Sequence, residues 1–169
     1  MIDIKRKLKN FGPLEFLVLS SLSYVVIMLI WTASTRSSVL QKANDIKTNH
    51  KTIVEFINNE VNACSADENG LTSWGENCNS SWNSSVIVKY ILDNFKLSNP
   101  YNINKPLIQT SQDPRIQAEG KAGQSTDKGI IFVSESNFEF EAGSEWIIGT
   151  CIKSPCVAAG NNELVSVYR

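Results

Sequence analysis

An uncharged apolar run of 18 residues, Phe16–Ala33, constrains this chain more than any other part of its sequence. In an α-helix, which rises about 1.5 Å per residue, such a run spans roughly 27 Å, close to the thickness of the hydrocarbon core of a bilayer. Basic residues dominate the segment before it, residues 1–10. The positive-inside rule therefore predicts a cytoplasmic N-terminus and export of everything after Arg36.

Two other interpretations of the apolar run are weaker. A cleavable signal peptide has an apolar region of about 7–15 residues followed by a small-x-small site. The run here is longer, although Ala33-Ser34-Thr35 is compatible with such a site. A buried core helix seldom holds so long an uncharged stretch. We therefore expect a membrane helix, with Trp31 as an aromatic anchor at the interface.

The overall composition hides this division of the chain. The 169 residues carry a net charge of -1, of which +3 falls in residues 1–10, so the rest carries -4. The near-balance of 16 basic and 17 acidic side chains argues against a dedicated nucleic-acid binder, which would show a clustered basic surface. A hydrophobic fraction of 42% excludes an acidic disordered chain.

Beyond Arg36 the helical pattern continues and becomes amphipathic. Apolar residues and one histidine recur at steps of three and four, as on one face of a helix: Val39, Leu40, Ala43, Ile46, His50, Ile53, Val54, Ile57 and Val61. Because no Pro or Gly lies within residues 14–63, we expect a single helix from about Phe11 to Ala63, roughly 80 Å long. A coiled-coil stalk is the alternative, but the spacing keeps no strict heptad. We favour a stripe that packs on a globular head.

Residues 64–169 are expected to form that head. Residues 85–95 have the apolar spacing of a short helix with Ser85 as its cap, although a strand is also possible. Residues 109–128 are polar and are expected to form a surface loop. Alternation and turn residues predict strands at Ile130–Ser134, Asn137–Glu141, Glu145–Cys151 and Glu163–Tyr168, with turns at residues 134–136 and 142–144. The predicted fold class is α+β, a long N-terminal helix packed against a small antiparallel sheet.

All four cysteines lie in the head, and an even number in an exported domain indicates disulfides. Three pairings are possible. We favour the pairing of neighbours, Cys64 with Cys78 and Cys151 with Cys156, because it closes two short loops. Zinc is the alternative, but the spacings of 14 and 5 residues are not those of C-x-x-C sites.

The sequence offers no set of residues typical of an active site. His50 is the single histidine, and its place in the helical stripe favours a packing role. Glu139 and Glu141 share a strand face, but alternating acids on a strand usually form its solvated side. We therefore expect neither enzymatic activity nor a cofactor nor a bound metal.

One ionisable residue, Glu15, stands at the start of the apolar run, and a carboxylate drawn into apolar surroundings requires a partner. With the basic residues 5–9, Phe11 and the long helix that follows, it gives the chain a layout that resembles the type IV pilins and the pseudopilins of type II secretion. In those precursors a basic leader is cut before a Phe, and a Glu is the fifth mature residue. Glu15 is fifth from Phe11. The residue before the cut is usually Gly in that family and is Asn10 here.

The resemblance implies specific roles and partners. A prepilin peptidase would cleave the chain between Asn10 and Phe11, and Phe11 would then be methylated. Glu15 would pair with the N-terminus of a neighbouring subunit. The chain would then be a filament subunit that works with other pilins and an assembly platform. The precursor would span the inner membrane once, and the assembled filament would lie at the cell surface in adhesion, motility, DNA uptake or secretion.

The domain organisation predicted on this basis has four parts. Residues 1–10 form the leader, 11–35 the transmembrane and polymerisation half of the helix, 36–63 its amphipathic half, and 64–169 the head. A permanently anchored single-pass protein, whose head binds an extracytoplasmic ligand, is the alternative function.

Overall fold

The computed structural model describes residues 12–119, 128–136 and 145–169. In chain order the elements are helix α1 (Pro13–Ala66), helix α2 (Ser84–Asn94), strand β1 (Ile108–Thr110), helix α3 (Pro114–Glu119), and strands β2 (Ile131–Ser136), β3 (Glu145–Cys151) and β4 (Asn162–Tyr168). The chain divides into two compact units, one ending at Gln41 and the other beginning at Lys42. The part boundaries expected from the sequence, after residues 10, 35 and 63, stay predictions.

Helix α1 runs without interruption for 54 residues, which confirms the single long helix expected from the sequence. Gly12 is its N-cap, because its carbonyl accepts hydrogen bonds from the backbone N–H groups of Glu15 and Phe16, each at 3.1 Å. Pro13 occupies the first helical position, where its missing N–H costs nothing. The helix ends at Ala66, three residues later than expected.

The second unit contains a four-stranded sheet in the order β1-β2-β3-β4. Strands β2, β3 and β4 pair antiparallel, as expected, whereas β1 pairs parallel with β2 through Ile108 and Ile131. The α+β class is confirmed, but the sheet is mixed rather than antiparallel. A parallel pair needs a crossover connection, and the segment that contains α3 provides it.

Helices cover both faces of this sheet. The apolar stripe residues of α1 from Ala43 to Val61 join side chains of α2 and of the sheet in one buried cluster, whose sheet members include Ile131, Val133, Trp146, Ile148 and Val167. Each such side chain stabilises the fold by about 1.5–3 kcal/mol when fully buried. The first two residues of the predicted stripe, Val39 and Leu40, are instead 42% and 55% exposed. The amphipathic pattern of residues 43–61 therefore predicted the packing surface of the helix.

Helix α3 packs against the opposite face of the sheet at Gly149. A Cβ atom on Gly149 would lie 2.7 Å from the carbonyl oxygen of Pro114 and 3.0 Å from the Cβ of Ala118. Only a residue without a side chain allows this approach of helix to strand. Arg115 adds an ion pair with Glu145 of β3, at 3.1 Å.

Two sequence predictions for the second half of the head were wrong. Residues 109–128 are not one surface loop, because β1 ends within them and α3 begins at Pro114. Asp113 accepts hydrogen bonds from the N–H groups of Arg115 and Ile116, at 3.0 and 3.4 Å, so an Asp-Pro cap starts α3. Residues 134–136 form no turn, because they continue β2 opposite residues 145–147 of β3. The strand predicted at 137–141 and the turn at 142–144 lie outside the described residues.

The short helix predicted at residues 85–95 is confirmed as α2, but its cap differs. Asn83, and not Ser85, is the N-cap, and its side chain accepts a hydrogen bond from the N–H of Ser85 at 2.8 Å. Asn and Ser are equally good capping residues, so the spacing of apolar residues could not distinguish them.

Two disulfides, Cys64–Cys78 and Cys151–Cys156, join neighbouring cysteines in the chain, which is the pairing that the sequence analysis favoured. The first bond ties the end of α1 to the loop before α2. The second closes the segment that follows β3. Short loops of this kind restrict the unfolded chain and so stabilise a small head.

Candidate functional site

The first half of α1 presents an apolar surface on every side. Its large hydrophobic side chains are between 40% and 75% exposed, namely Leu14, Phe16, Leu17, Val18, Leu19, Leu22, Tyr24, Val25, Val26, Ile27, Met28, Leu29, Ile30 and Trp31. By length and composition, α1 is the one helix among the described residues that could cross a membrane. So large an exposed apolar surface marks a region that requires a lipid or protein environment.

Most of the hydroxyl side chains of this segment find a hydrogen-bond acceptor within the helix itself. Seven of the eight serine and threonine hydroxyls between Pro13 and Gln41 donate to a backbone carbonyl three or four residues earlier, at 2.8–3.0 Å, namely those of Ser20, Ser21, Ser23, Thr32, Thr35, Ser37 and Ser38. No water molecule or partner chain is needed to satisfy these donors. The segment is therefore chemically compatible with an apolar environment.

Glu15 lies in the first turn of α1, at the N-terminal end of this segment. Its Oε2 atom accepts a hydrogen bond from the N–H of Gly12 at 3.0 Å, which is the return bond of a helix-capping box. A carboxylate in the first turn also interacts favourably with the helix dipole. Asn10 and Phe11, the predicted cleavage and methylation residues, lie outside the described residues.

In the second half of α1, the buried His50 joins the helix to two strands of the head. Its Nε2 atom lies 3.2 Å from the carbonyl oxygen of Ile148 in β3, and its Nδ1 atom lies 3.2 Å from Oε2 of Glu163 in β4. The other carboxylate oxygen of Glu163 is 3.7 Å from Nζ of Lys47. These contacts anchor the second half of α1 to the sheet.

Both ring nitrogens of His50 therefore face hydrogen-bond acceptors. A neutral imidazole carries one N–H and satisfies one of them at a time, whereas an imidazolium donates to both. Burial lowers the pKa of His50 and outweighs the opposing effects of the Ile148 carbonyl and Glu163. The packing role expected for His50 agrees with this geometry.

The head also contains an open polar groove of about 550 Å³. It is lined by hydroxyl and amide side chains, one carboxylate and one indole: Glu76, Ser81, Trp82, Asn83, Ser84, Ser111, Gln112 and Ser134. Glu76 is engaged there, since it accepts from Trp74 Nε1 at 2.7 Å and from the N–H of Asn83. Trp82 is only 2% exposed and forms part of the floor. Hydrogen bonding to a neutral polar ligand is the chemistry that this lining allows.

Sequence reasoning missed this groove and the partnership of His50 with Glu163. The groove is assembled from segments near residues 80, 111 and 134, whose proximity depends on how β1 and β2 pair. Glu163 had been expected only as a strand residue. Within the ranges 12–119, 128–136 and 145–169, no cluster of three His, Cys, Asp or Glu side chains could hold a metal ion.

Comparison of this chain with protein-family models, with curated proteins and with solved structures finds no match. The functional argument therefore depends on the surfaces of the molecule itself.

Proposed function

We propose that the chain is a structural subunit of a type IV pilus-like filament, whether a major pilin, a minor pilin or a secretion pseudopilin. The observation that carries the proposal is the first half of α1, an uncharged apolar helical surface exposed on all sides with one carboxylate at its start. Such a helix can lie in a bilayer before assembly and pack against copies of itself in the assembled filament.

The hydroxyl groups that hydrogen-bond within α1 suit a filament core of packed helices as well as a bilayer. Helices that pack together without water depend on van der Waals contact and on polar groups that already have partners. The disulfide-tied head supports export, because disulfides persist in oxidising compartments. In this proposal the precursor spans the inner membrane with its N-terminus in the cytoplasm, and other proteins provide the peptidase and the assembly platform.

Glu15 is the assembly residue in this proposal. Its capping bond to Gly12 occupies one carboxylate oxygen, and the charge itself must be compensated once apolar helices surround it. Pairing with a group on a neighbouring subunit would set the register of the filament. The carboxylate would thus link insertion of the helix to ordered polymerisation.

The experiment compares filament yield from Glu15→Ala with that from Glu55→Ala, a matched change at an exposed carboxylate of the same helix. Filaments are sheared from the cell surface and the amount of chain is measured relative to the membrane fraction. We expect Glu15→Ala to reduce the yield about tenfold or more, because an uncompensated partner charge remains in the assembly. Equal yields from the two variants would contradict the assembly role of Glu15.

The polar groove favours a second candidate function, a permanently anchored single-pass protein whose head binds an extracytoplasmic ligand. In that case the chain stays in the membrane fraction and sheared material contains none of it. Saturable binding of a neutral, hydroxylated ligand that is lost in Gln112→Ala would then support the second candidate.

A further inference from the structure

Four segments of the second compact unit meet around Tyr101. They are residues 42–46 of α1, 99–105, 128–130 and 151–157. The hydroxyl of Tyr101 donates to the carbonyl of Ile152 at 2.6 Å. The ammonium groups of Lys42 and Lys128 lie 6.0 and 5.7 Å from the centre of its ring, within reach of a cation–π interaction. We call the surface formed by these four segments the basic end of the unit.

The basic end is a closely packed part of the fold. Asn99, which is only 3% exposed, accepts a hydrogen bond from the N–H of Tyr101 at 2.9 Å and donates one to the carbonyl of Lys128 at 3.3 Å. A Cβ atom on Gly129 would lie 2.8 Å from the Tyr101 ring and 3.0 Å from the side chain of Ile46. The lysines of this surface are therefore positioned by folded structure.

The charges of the second unit are distributed unevenly. Residues 42–169 carry 11 basic and 15 acidic side chains, a net charge of -4. The basic end carries four lysines and one acid, a net charge of +3, namely Lys42, Lys105, Lys128, Lys153 and Asp45. The rest of the unit therefore carries -7. Residues 60–76, around the far end of α1, include four acids and no basic residue, and about 36 Å of helix separates Lys42 from Ala66.

The basic end also exposes apolar side chains. Ile103 is 86% exposed, the highest value among the large hydrophobic side chains that the structure describes, and Val157 is 69% exposed. Each belongs to one of the segments that meet at Tyr101. Lysines beside exposed apolar residues and a tyrosine are typical of surfaces that lie on a bilayer, because the lysines attract anionic headgroups and the apolar side chains enter between them.

We propose that the basic end binds the anionic phospholipid surface of the membrane in which the first half of α1 is predicted to lie. Lys42 follows Trp31, the predicted interfacial anchor, by 11 residues, which is about 17 Å of helix. The chain itself therefore keeps this surface near the lipid headgroups. An anionic bilayer attracts the basic end and repels residues 60–76, so the charge distribution favours one orientation of the unit.

This inference goes beyond the proposed function, since it applies to a filament precursor before assembly and to an anchored protein alike. It concerns one copy of the chain and one membrane. The filament yield of Glu15→Ala tests the proposed function, whereas the experiment that follows contains no filament. The two proposals can therefore fail separately.

Hydrogen exchange of the full-length chain in lipid nanodiscs, one chain to each disc, tests the proposal. The discs contain phosphatidylcholine alone or phosphatidylcholine with about 30% phosphatidylglycerol. We expect the amides of residues 99–105 and 151–157 to exchange about threefold or more slowly in the anionic discs, because contact with lipid excludes water. Residues 67–76 should exchange equally in both. About 0.5 M salt should remove most of the difference, since it screens exposed charges.

Paired variants show whether the lysines are responsible. Lys42→Gln combined with Lys153→Gln should abolish the difference between the two kinds of disc. Lys51→Gln combined with Lys89→Gln removes the same charge from exposed positions outside the basic end and should preserve it. Unchanged exchange of strand β3 in all variants shows that the fold is intact.

Two results would overturn the proposal. The first is equal exchange of the basic end in neutral and anionic discs. The second is protection that appears only when a disc holds two chains, which would identify another copy of the chain, and not lipid, as the occupant of this surface.

Discussion

The Nδ1 atom of His50 lies 3.2 Å from the Oε2 atom of Glu163, which links the buried face of α1 to the edge strand β4. On its other side the same ring approaches the Ile148 carbonyl of β3. A single imidazole thus holds the second half of the long helix against two strands. Its protonation state affects how many of these contacts are hydrogen bonds and therefore bears on the stability of the head.

The stability of the head should depend on pH through His50. Because burial lowers the pKa of His50 below its ordinary value of 6.5, the unfolded chain binds a proton that the folded chain resists. The contribution of the neutral ring is fully present above about pH 6.5 and is lost as the pH falls from there toward the lowered pKa. We expect the urea midpoint of the detergent-solubilised chain to fall between about pH 7.5 and 5.5.

The matched variant for this measurement is His50→Gln, which keeps a polar side chain and removes the titrating ring. Its urea midpoint should be nearly constant over the same pH range. Glu145 does not interfere with this measurement. A hydrogen bond from Ser166, together with Arg115 and Tyr168, lowers the pKa of Glu145 below 4.5. Its contribution to the pH dependence of stability therefore falls at more acidic pH. Parallel curves for the wild-type chain and His50→Gln would contradict the role assigned to the ring.

The two disulfides should stabilise the head unequally. The cysteines of the Cys64–Cys78 bond are 14 residues apart in sequence, and those of the Cys151–Cys156 bond are 5 apart. In the chain-entropy model, replacing the first pair by serines lowers the free energy of unfolding by about 3 kcal/mol and replacing the second by about 2 kcal/mol. Urea unfolding followed by tryptophan fluorescence measures both. A larger loss from the shorter loop would show that native contacts, and not loop closure, determine the difference.

Charges placed within the apolar half of α1 should prevent stable membrane insertion. Lysine at the centre of a membrane helix costs about 2.5–3.5 kcal/mol, so Val25→Lys combined with Leu29→Lys should release the chain from membranes on alkaline carbonate extraction. The control carries lysine at two exposed apolar positions of the head, Leu71 and Ile103. It should remain in the membrane pellet with the wild-type chain. Release of neither variant would show that something other than this segment anchors the chain.

The long helix was predictable because its signals are local and repeated. No Pro or Gly interrupts the stretch after Pro13, which predicted one continuous helix. The apolar residues from Ala43 to Val61 repeat at helical spacing over several turns, which predicted its packing face. Strand β3 was predicted with its observed bounds, Glu145–Cys151, since β-forming residues and flanking turn residues coincide there. The disulfide pairing of neighbours followed from loop length.

The remaining features depend on contacts between distant residues. Strand β1 has three residues and exists through its pairing with β2, which no local pattern encodes. Helix α3 carried a readable signal, Asp113-Pro114, but its packing on Gly149 is a tertiary contact. The groove beside Trp82 and the contact of His50 with Glu163 likewise arise from the arrangement of the sheet. Glu15 was recognisable as unusual from the sequence, whereas its capping bond to Gly12 required coordinates.

The most direct test of the filament account is the mass of the chain recovered from filaments sheared from the cell surface. The account predicts a chain that begins at Phe11, shortened by the ten residues of the leader and methylated at its new N-terminus. Intact disulfides in the same sample would confirm that the head was exported and folded. A chain that still begins at Met1 and is found only in the membrane fraction would contradict the account.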